Sequence, residues 1–313
     1  MVIGDTRKIY FLTGSTGFLG RALVAALRKG NPGSIIRCLI RKPEAAFLDE
    51  DMQWVVGDMS NEEALRVGVD GADVVLHFAG ATRSYDPVVY HEVNYQGTAR
   101  LVAAAEQAGV KRFIFASSRA VGTACGAYGE SKFLAEQAVT ASRLPYVILR
   151  FSEVYGGQTT EGIGTLVRVV QQSPWVPVFP GVNMTPLYLE DALEAVLASV
   201  RAPAVERRIY TIAGPRTYTF TEGAKVIASV YGVRRIYIPI PISLLWIAVF
   251  LGKLLGRRRI VPDQIDRMRC RKETDIQKAV QDLGFSPRSF EEGLQALASC
   301  RRAPSRDRVP QLV

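Results

Sequence analysis

The chain carries a tyrosine and a lysine four positions apart, Tyr128 and Lys132, in the stretch Tyr-Gly-Glu-Ser-Lys. Residues 126–141 have mostly helical character, so positions i and i+4 share one face and the Lys132 ammonium can lie beneath the Tyr128 hydroxyl. A free tyrosine has a pKa of about 10, which is too high for a good base near neutral pH. A neighbouring ammonium favours the phenolate and lowers that pKa. The pair therefore predicts a tyrosine that exchanges a proton with a substrate oxygen.

A serine at the end of the preceding predicted strand extends this arrangement. The strand covers residues 113–117, and Ser118 follows it directly. A hydroxyl at that place can hydrogen-bond a substrate carbonyl or alcohol and polarise the bond on which the tyrosine acts. A Tyr-x-x-x-Lys pattern by itself is common by chance. Behind a strand that ends in two serines, on a chain that also has a glycine-rich turn, it indicates an oxidoreductase site.

The glycine-rich turn lies near the N-terminus, between the first predicted strand and the first predicted helix. Its glycines follow a G-x-x-G-x-x-G spacing. Glycine lets the backbone turn tightly and approach a pyrophosphate, while the N-terminus of the next helix offers free N–H groups and a positive dipole end. The turn therefore predicts a dinucleotide site, with a plain tight turn as the alternative. The predicted contacts are Gly14, Ser15, Thr16, Gly17, Phe18, Leu19 and Gly20.

The residue at the end of the second predicted strand bears on which dinucleotide is bound. Sites specific for NAD usually place an acid there, where it binds the ribose 2′-hydroxyl. This chain has Arg41 at that position, followed by Lys42. A guanidinium can bind phosphate oxygens in pairs, so we expect NADP(H), with NAD(H) as the alternative. If Arg41 and Lys42 only form a solvated turn, they say nothing about the cofactor preference. Asp58, which follows the third predicted strand, is a further candidate and would contact the adenine.

Short apolar runs alternate with helical runs through the first half of the chain, which predicts βαβ units and a parallel sheet. We predict an α/β fold with a doubly wound parallel Rossmann sheet, in a dinucleotide-binding domain over residues 1–150. A smaller substrate-binding lobe over 151–300 returns elements to the sheet, and a basic tail over 301–313 is predicted to be disordered. The predicted strands are 9–13, 35–40, 54–56, 74–78, 113–117 and 146–150, and the predicted helices are 21–28, 88–108 and 126–141.

With these motifs the chain resembles the short-chain dehydrogenase/reductase superfamily, in its extended or atypical, epimerase/dehydratase-like branch. The stretches 77–81, 93–98 and 149–156 support the resemblance. It implies that Asn94 keeps the active-site helix and a water in place, and that Lys132 also holds the nicotinamide ribose. The implied catalytic set is Asn94, Ser118, Tyr128 and Lys132, and the further cofactor contacts are Asp58, Met59, Ala79, Gly80, Ala81, Ser117, Tyr128, Lys132 and Phe151.

The chain departs at three places from the members of this superfamily that act on nucleotide sugars. The insert between Ser118 and Tyr128 is short, Glu153 replaces an asparagine, and Met184 replaces an arginine that those enzymes place on the diphosphate. A carboxylate and a thioether would repel a nucleotide diphosphate or fail to bind it. We therefore expect another small-molecule substrate and assign Ser118, Arg83 and Glu153 to its side of the site.

Segments such as 185–191 and 283–287 resemble the branch that contains the nucleotide-binding accessory subunit of respiratory complex I. Some members of that branch keep NADP(H) bound without obvious turnover. Because Ser118, Tyr128 and Lys132 are intact, we interpret the protein as an NADP(H)-dependent oxidoreductase that moves hydride to or from a carbonyl or carbinol carbon. A non-catalytic NADP(H)-binding structural or assembly protein is the main alternative, and a nucleotide-sugar epimerase or dehydratase is the third interpretation.

An uncharged apolar stretch, residues 236–252, is followed by Lys253 and by three arginines at 257–259. It is shorter than the roughly 20 residues of a membrane-spanning helix, and two prolines interrupt its start. Three interpretations stand: a buried helix of the small lobe, an interfacial helix with the arginines on anionic headgroups, or the mouth of an apolar substrate pocket. The last two are compatible, so peripheral membrane contact through residues 236–259 is one hypothesis for this stretch.

The net charge and the cysteines bear on which partners the protein binds and in which compartment it lies. The net charge is +9, but no nucleic-acid motif accompanies it, so we expect no nucleic-acid partner. Four cysteines without Cys-x-x-Cys spacing, Cys38, Cys125, Cys270 and Cys300, favour reduced thiols and no metal site. We read no signal peptide and expect a cytoplasmic protein, with the inner membrane face as a peripheral location. The resemblance implies a homodimer through the helix that carries Tyr128.

Overall fold

A parallel β-sheet forms the centre of the protein. The computed structural model describes residues 7–43, 52–157, 159, 161–202, 205–254 and 261–302. In sequence order, the strands within these ranges are β1 (Ile9–Thr13), β2 (Ile35–Ile40), β3 (Met52–Val56), β4 (Val74–His77), β5 (Arg112–Ser118), β6 (Tyr146–Phe151), β7 (Val154–Tyr155), β8 (Trp175–Val178), β9 (Asn183–Met184), β10 (Leu187–Tyr188), β11 (Arg208–Ile212), β12 (Tyr218–Thr219) and β13 (Ile236–Pro239).

Seven of these strands pair in the order β3-β2-β1-β4-β5-β6-β11, and every pairing is parallel. The direction of chain progression reverses between β1 and β4. In doubly wound folds this reversal opens a crevice at the carboxyl ends of the strands, where ligands bind. The predicted parallel Rossmann sheet is therefore confirmed, and the glycine-rich turn lies at the reversal.

Helices cover both faces of the sheet. In sequence order they are α1 (Phe18–Gly30), α2 (Glu62–Val69), α3 (Pro87–Tyr90), a π-helical turn (His91–Gln96), α4 (Gly97–Gln107), a 3₁₀ turn (Thr123–Cys125), α5 (Gly126–Ala141), α6 (Ile163–Gln172), α7 (Leu189–Arg201), α8 (Phe220–Val230), α9 (Leu244–Leu254), α10 (Pro262–Arg269), α11 (Gln277–Leu283) and α12 (Phe290–Arg302).

The period of two along each central strand divides the core between the two faces. On β1, Tyr10 and Leu12 pack with α1, α7 and α11, whereas Phe11 packs with α2, α4 and α5. Successive side chains of a strand point to opposite faces, so a strand buried on both sides is apolar at consecutive positions. This is why the strands could be recognised as short, uninterrupted apolar runs.

The second half of the chain forms a third hydrophobic cluster, centred on α6, α8 and α12. Its short strands pair among themselves, as β7 with β10, β8 with β13 and β9 with β12. β11 joins β6 in the central sheet, so this half of the chain does contribute to the first domain. α12 extends through Arg302, two residues into the stretch predicted as a tail, and residues 303–313 lie outside the described ranges.

Two local details differ from the sequence-based expectation. α2 was not predicted, although Asn61 caps it by accepting a hydrogen bond from the Ala64 N–H and two glutamates occupy its first turn. The predicted helix over 88–108 is interrupted by the π-helical turn His91–Gln96 between α3 and α4. Such turns insert an extra residue into a helix and occur frequently at functional sites.

α9 does not join the described core. Trp246, Ile247 and Phe250 are 40%, 54% and 67% exposed, respectively. Next to it in the chain, β13 exposes Ile236 and Ile238. The interpretation of this stretch as a buried helix is therefore wrong for these side chains. Within the described residues, no helix combines the length and the apolarity needed to cross a membrane.

The expectation of four reduced cysteines is wrong for two of them. Cys125 and Cys270 form a disulfide, with their Cα atoms 5.2 Å apart although 145 positions separate them in sequence. Cys125 directly precedes α5 and Cys270 directly follows α10, so the bond connects the ends of two packed helices. Cys38 is a buried free thiol. Spacing along the chain gave no sign of the pairing, because only the packing of α10 against α5 brings the two residues together.

We expect the Cys270→Ser variant to be less stable than the oxidised parent by about 2–4 kcal/mol, because the closed loop no longer restricts the unfolded chain. Urea denaturation followed by circular dichroism measures this difference. The parent protein in a strong reductant is the control and should match the variant. Equal midpoints with and without reductant, together with alkylation of both thiols in the untreated parent, would contradict the disulfide.

Candidate functional site

The glycine-rich turn leads from β1 directly into α1. Gly14 has a φ of +79°, and a Cβ there would approach the Ala79 backbone nitrogen to 2.5 Å. A Cβ at Gly20 would overlap the Gly14 carbonyl, so close backbone packing requires both glycines. α1 has no acid in its first turn, and its N-cap Gly17 supplies no side-chain cap. The open N–H groups and positive dipole end fit a dinucleotide pyrophosphate. The other predicted contacts lie in this turn or at the start of α1: Ser15, Thr16, Phe18 and Leu19.

Two charged residues follow the neighbouring strands β2 and β3. Arg41 and Asp58 are both exposed at the same edge of the sheet as the glycine-rich turn. Hydrogen bonds from the Ser60 hydroxyl and N–H lower the pKa of the Asp58 carboxyl, and the Arg41 charge adds to this effect. Met59 is buried, where its side chain packs against Gly97. The structure therefore brings a cation and an anion together at the position expected for the adenosine end of a dinucleotide.

Asn94 lies in the π-helical turn, where it is 1% exposed and ties three segments together. Its Oδ1 accepts a hydrogen bond from the Ala81 N–H at 2.7 Å, and its Nδ2 donates to the Ala81 carbonyl at 3.1 Å and to the Ser131 hydroxyl at 3.0 Å. Ser131 belongs to α5, and Ala81 to the loop that follows β4. The amide thus fixes the predicted cofactor loop, residues 79–81, against the predicted active-site helix.

Tyr128 is buried at the start of α5, and the side chain of Ser118, at the end of β5, lies close enough to lower its pKa. The Ser118 oxygen also accepts the N–H of Ala120 at 3.1 Å. Burial raises the pKa of Tyr128, while the Arg267 charge and the Ser118 side chain oppose this effect. The net direction is upward, opposite to the lowering expected from Lys132, because burial outweighs the neighbouring cation.

Lys132 lies one turn after Tyr128 on α5, and its ammonium is buried. Its Nζ donates to the Ala116 carbonyl at 2.8 Å and lies 4.5 Å from the centre of the Phe115 ring. Burial lowers the pKa of this ammonium to about 8. A Cβ at Gly80 would lie 3.8 Å from the same Nζ, so the lysine faces the loop that follows β4. The two predicted catalytic residues and the predicted cofactor loop therefore meet in one place.

Two further predicted cofactor residues take part in contacts with the rest of the protein. The Ser117 hydroxyl donates to Glu136 at 2.6 Å, and Glu136 also pairs with Arg150 at 2.5 Å. The ring of Phe151 is buried and lies 6.3 Å from that of Phe78. Both residues stand at the carboxyl ends of central strands, β5 and β6, but the Ser117 side chain is committed to the ion pair.

The sequence analysis missed a charged pair on α10 that covers Tyr128. Arg267 lies with its guanidinium carbon 4.4 Å from the centre of the Tyr128 ring, and its Nε pairs with Asp263 at 3.0 Å. Asp263 also accepts the Tyr128 N–H at 2.9 Å. The i, i+4 spacing of the two residues indicated an intrahelical ion pair. Nothing in the sequence indicated that this helix would pack on α5, because 135 positions separate Asp263 from Tyr128.

Glu153, assigned to the substrate side, is held by two cations. Arg119 donates to one carboxylate oxygen at 2.7 Å, and Lys272 donates to the other at 2.8 Å. The Thr185 N–H adds a third hydrogen bond at 3.1 Å. Burial opposes ionisation, yet Lys272 and Arg119 lower the pKa of Glu153 to about 2. Arg119 directly follows Ser118, so a sequence signal for this cation was present and was overlooked. The ion cluster borders a cavity of about 270 Å³ that Thr217 also lines.

Arg83, the other residue assigned to the substrate side, is exposed in the loop after β4. It pairs with Glu161 at 3.4 Å, and Glu161 is exposed as well. The neighbouring Thr82 carbonyl accepts a hydrogen bond from Arg267 at 2.9 Å. The loop that contains Arg83 therefore borders α10, and Arg83 itself is bound to another surface side chain.

Comparison with known proteins gives consistent matches. A ceramide reductase from Caulobacter vibrioides is 33% identical over 76% of this chain and 75% of its own. A UDP-glucose 4-epimerase from Vibrio cholerae is 27% identical over 95% of this chain and 97% of its own. The Bordetella bronchiseptica enzyme WbmG, crystallised with NAD and UDP, superposes with a TM-score of 0.76 over 93% of this chain and 94% of its own. At 18% identity, that structure shows the shared fold alone.

The matching family model extends over most of the sheet described above. Residues 10–213 match the NAD dependent epimerase/dehydratase family, from within β1 to just beyond β11. The match includes the glycine-rich turn, the loop after β4, and the residues Ser118, Tyr128 and Lys132. The resemblance stated from the sequence is thus confirmed, and the chain belongs to the NAD dependent epimerase/dehydratase family, within the extended short-chain dehydrogenase/reductases.

Proposed function

We propose that the protein is an NADP(H)-dependent oxidoreductase that transfers hydride to or from a carbonyl or carbinol carbon of an apolar substrate. The observation that carries this proposal is the position of Tyr128 and Lys132 on one helix, with the Lys132 Nζ facing the loop that Asn94 holds and Ser118 at the end of β5. A proton donor and a polarising hydroxyl converge there at the carboxyl ends of the central strands. Family membership supports NAD(P) dependence in general, while the preference for NADP(H) rests on Arg41.

Each side chain of this site has a separate role in the proposed reaction. In reduction, Tyr128 donates its proton to the substrate oxygen, while Ser118 donates a hydrogen bond to the same oxygen. Because burial raises its pKa, Tyr128 is protonated near neutral pH and is ready to act as an acid. Lys132, whose Nζ faces Gly80, would hold the nicotinamide ribose of the bound cofactor, and Asn94 holds that loop in place. When bound, NADP(H) supplies or accepts hydride at nicotinamide C4.

Two observations support an apolar substrate. The 33% identical relative is a ceramide reductase, so the activity of that relative involves a lipid. This chain also exposes large apolar side chains on α9, among them Trp246 and Phe250. Large exposed apolar patches commonly mark contacts with membranes, ligands or other proteins. A reductase that collects a lipid substrate from a membrane would need such a surface.

The similarity to a UDP-glucose 4-epimerase keeps a nucleotide-sugar activity as the second candidate. The contacts of two side chains weigh against it. Met184 is buried in the small lobe, where its sulfur packs against Gly223. Glu153 is an ionised carboxylate because Lys272 and Arg119 lower its pKa. Neither side chain offers a diphosphate the positive charge that it requires.

We further propose that the surface formed by α9 and the exposed residues of β13 contacts an anionic membrane peripherally. The sequence places Lys253 and three arginines, at 257–259, directly after the exposed apolar residues of α9. An exposed apolar segment that is followed in sequence by cations suits the boundary of an anionic bilayer, where apolar side chains enter the acyl region and cations meet headgroups. A second copy of the chain is the competing occupant of this surface.

The cofactor preference is measured by fluorescence titration with NADPH and with NADH. We expect the parent protein to bind NADPH more tightly. Arg41→Asp should weaken NADPH binding by roughly tenfold or more, because a charge-assisted hydrogen bond to phosphate contributes about 1.5–3 kcal/mol. The affinity of the same variant for NADH is the internal control and should not fall. Equal affinity of the parent for both nucleotides would remove the argument from Arg41.

The catalytic role of Tyr128 is tested by Tyr128→Phe in an assay of NADPH oxidation with ketones that carry long alkyl chains. We expect turnover to fall by roughly 10²–10⁴-fold, with unchanged NADPH affinity, because the ring remains and only the proton donor is lost. Tyr155→Phe, in the small lobe, is the control and should retain activity. Turnover by Tyr128→Phe at the parent rate would refute the mechanism. Absence of turnover in both proteins, with NADPH bound, would favour a non-catalytic role.

Membrane contact is tested by sedimentation with vesicles that contain phosphatidylglycerol or only phosphatidylcholine. We expect binding to the anionic vesicles and at least a tenfold loss in the double variant Trp246→Ser, Phe250→Ser, because each side chain contributes about 1.5–3 kcal/mol when buried. Val67→Ser with Val88→Ser changes two exposed apolar residues elsewhere and serves as the control. If the parent protein binds neither kind of vesicle but forms a dimer that the α9 variant does not form, the surface contacts a second copy of the chain instead of a membrane.

A further inference from the structure

The cation stacked on the candidate proton donor is an arginine from a distant segment of the chain. The guanidinium carbon of Arg267 lies 4.4 Å from the centre of the Tyr128 ring. Lys132, the cation expected to act on this tyrosine, donates instead to the Ala116 carbonyl and lies over the Phe115 ring. Arg267 is therefore placed to stabilise the Tyr128 phenolate, the role that the sequence pattern assigned to Lys132.

Arg267 is held in this position by contacts from two directions. Its Nε pairs with Asp263 at 3.0 Å, one turn earlier on α10, and its Nη2 donates to the Thr82 carbonyl at 2.9 Å. The contact with Asp263 is one of charge without hydrogen-bond geometry, so the hydrogen bond to the Thr82 carbonyl is what orients the planar, rigid guanidinium. Its side chain is 18% exposed, which limits screening by solvent.

The helix that carries Arg267 is fastened to α5 at both of its ends. At its start, Asp263 accepts the Tyr128 N–H at 2.9 Å, so the carboxylate joins the first turn of α5 to α10. At its end, Cys270 forms the disulfide with Cys125, which directly precedes α5. α10 therefore cannot move away from Tyr128 without breaking a covalent bond or a buried hydrogen bond.

We propose that Arg267 is a positioning residue for proton transfer, because its guanidinium fixes the Tyr128 ring and supplies the positive charge that stabilises the phenolate. A cation over an aromatic face is attracted to the ring, and a phenolate strengthens that attraction. The inference rests on the proposed role of Tyr128 and names a residue outside the motif that predicted it.

The groups that face Tyr128 agree with this assignment. They are Arg267 and Asp263 from α10, Ser118 from the end of β5, and Tyr90 from α3. Burial raises the pKa of Tyr128; among the neighbouring groups, the Arg267 charge opposes burial most strongly, and the Ser118 side chain opposes it further. Asp263 and Tyr90 act in the same direction as burial. Removal of Arg267 should therefore raise the pKa of Tyr128 further.

The test follows the ionisation of Tyr128 directly, without turnover. Tyrosine is replaced throughout the protein by 3-fluorotyrosine, whose lower pKa brings the titration into a range where the chain stays folded. The ¹⁹F resonance of residue 128 is assigned from its loss in Tyr128→Phe, and its titration midpoint is measured with and without NADP⁺. We expect Arg267→Gln to raise the midpoint by about one pH unit or more, because an opposite charge at this range shifts a pKa by 1–3 units.

Matched variants separate charge from packing. Arg288 pairs with Asp191 at 2.8 Å and lies 4.6 Å from the Tyr188 ring, which repeats the arrangement away from the candidate site. Arg288→Gln should leave the midpoint of residue 128 unchanged. Arg267→Lys keeps the charge, so its titration midpoint for residue 128 should stay near the parent value. Arg267→Met also removes the charge and replaces Arg267→Gln if that variant does not fold.

An unchanged midpoint in folded Arg267→Gln or Arg267→Met would overturn the assignment, as would an equal shift in Arg288→Gln. The pH dependence of turnover adds a second measurement. Stabilisation of the phenolate by Arg267 means that the rising limb of alcohol oxidation should move to higher pH in Arg267→Gln, by the same amount as the midpoint. If the midpoint moves but the parent protein turns over no carbonyl or alcohol substrate, the proposed function fails while the electrostatic role of Arg267 stands.

Discussion

Parallel pairing of the seven central strands places their carboxyl ends along one edge of the sheet, and each group of the candidate site depends on that alignment. β1 delivers the glycine-rich turn, β4 the loop that Asn94 holds, and β5 the serine beside Tyr128. These strands are adjacent in the sheet although they are far apart in the chain. The crevice between β1 and β4 is where the chain reverses direction across the sheet, which leaves room for a ligand.

Burial of charge sets the second constraint on this site. Lys132, Glu136, Arg119 and Asp263 are all buried, and a buried charge is tolerated only with partners. Glu136 forms an ion pair with Arg150 and accepts a hydrogen bond from Ser117, and Glu153 forms ion pairs with Arg119 and Lys272. Because breaking such a pair leaves an uncompensated charge, these networks fix side-chain positions around the site more firmly than surface ion pairs would.

The small lobe combines an apolar core with apolar residues that stay exposed. Its core, built on α6, α8 and α12, is closed and apolar, yet α9 leaves large apolar side chains in solvent. A protein usually buries such residues when it can, so a concentration of them on one helix points to an interaction surface. α9, with 11 residues, is shorter than a helix that spans a bilayer, and we propose that its exposed side chains meet the boundary of one.

Local patterns in the sequence determined the features that depend on neighbouring residues. The bounds of β1 and β2 follow from short apolar runs, those of α5 follow from helical spacing, and the glycine-rich turn follows from backbone geometry that only glycine permits. The helix α2 could also have been found, since its cap and acidic first turn are local signals. The placement of Tyr128 and Lys132 one turn apart on the same helix was predictable for the same reason.

Only the tertiary structure decided which distant residues meet. The disulfide joins Cys125 to Cys270 across 145 positions, Arg267 covers Tyr128, and Glu153 binds Lys272 rather than solvent. Whether α9 was buried or exposed was likewise undecided, because an apolar run suits both environments. Each of these outcomes depends on how the last third of the chain packs against the rest of the protein, and no pattern within a single segment records the surface that another segment will cover.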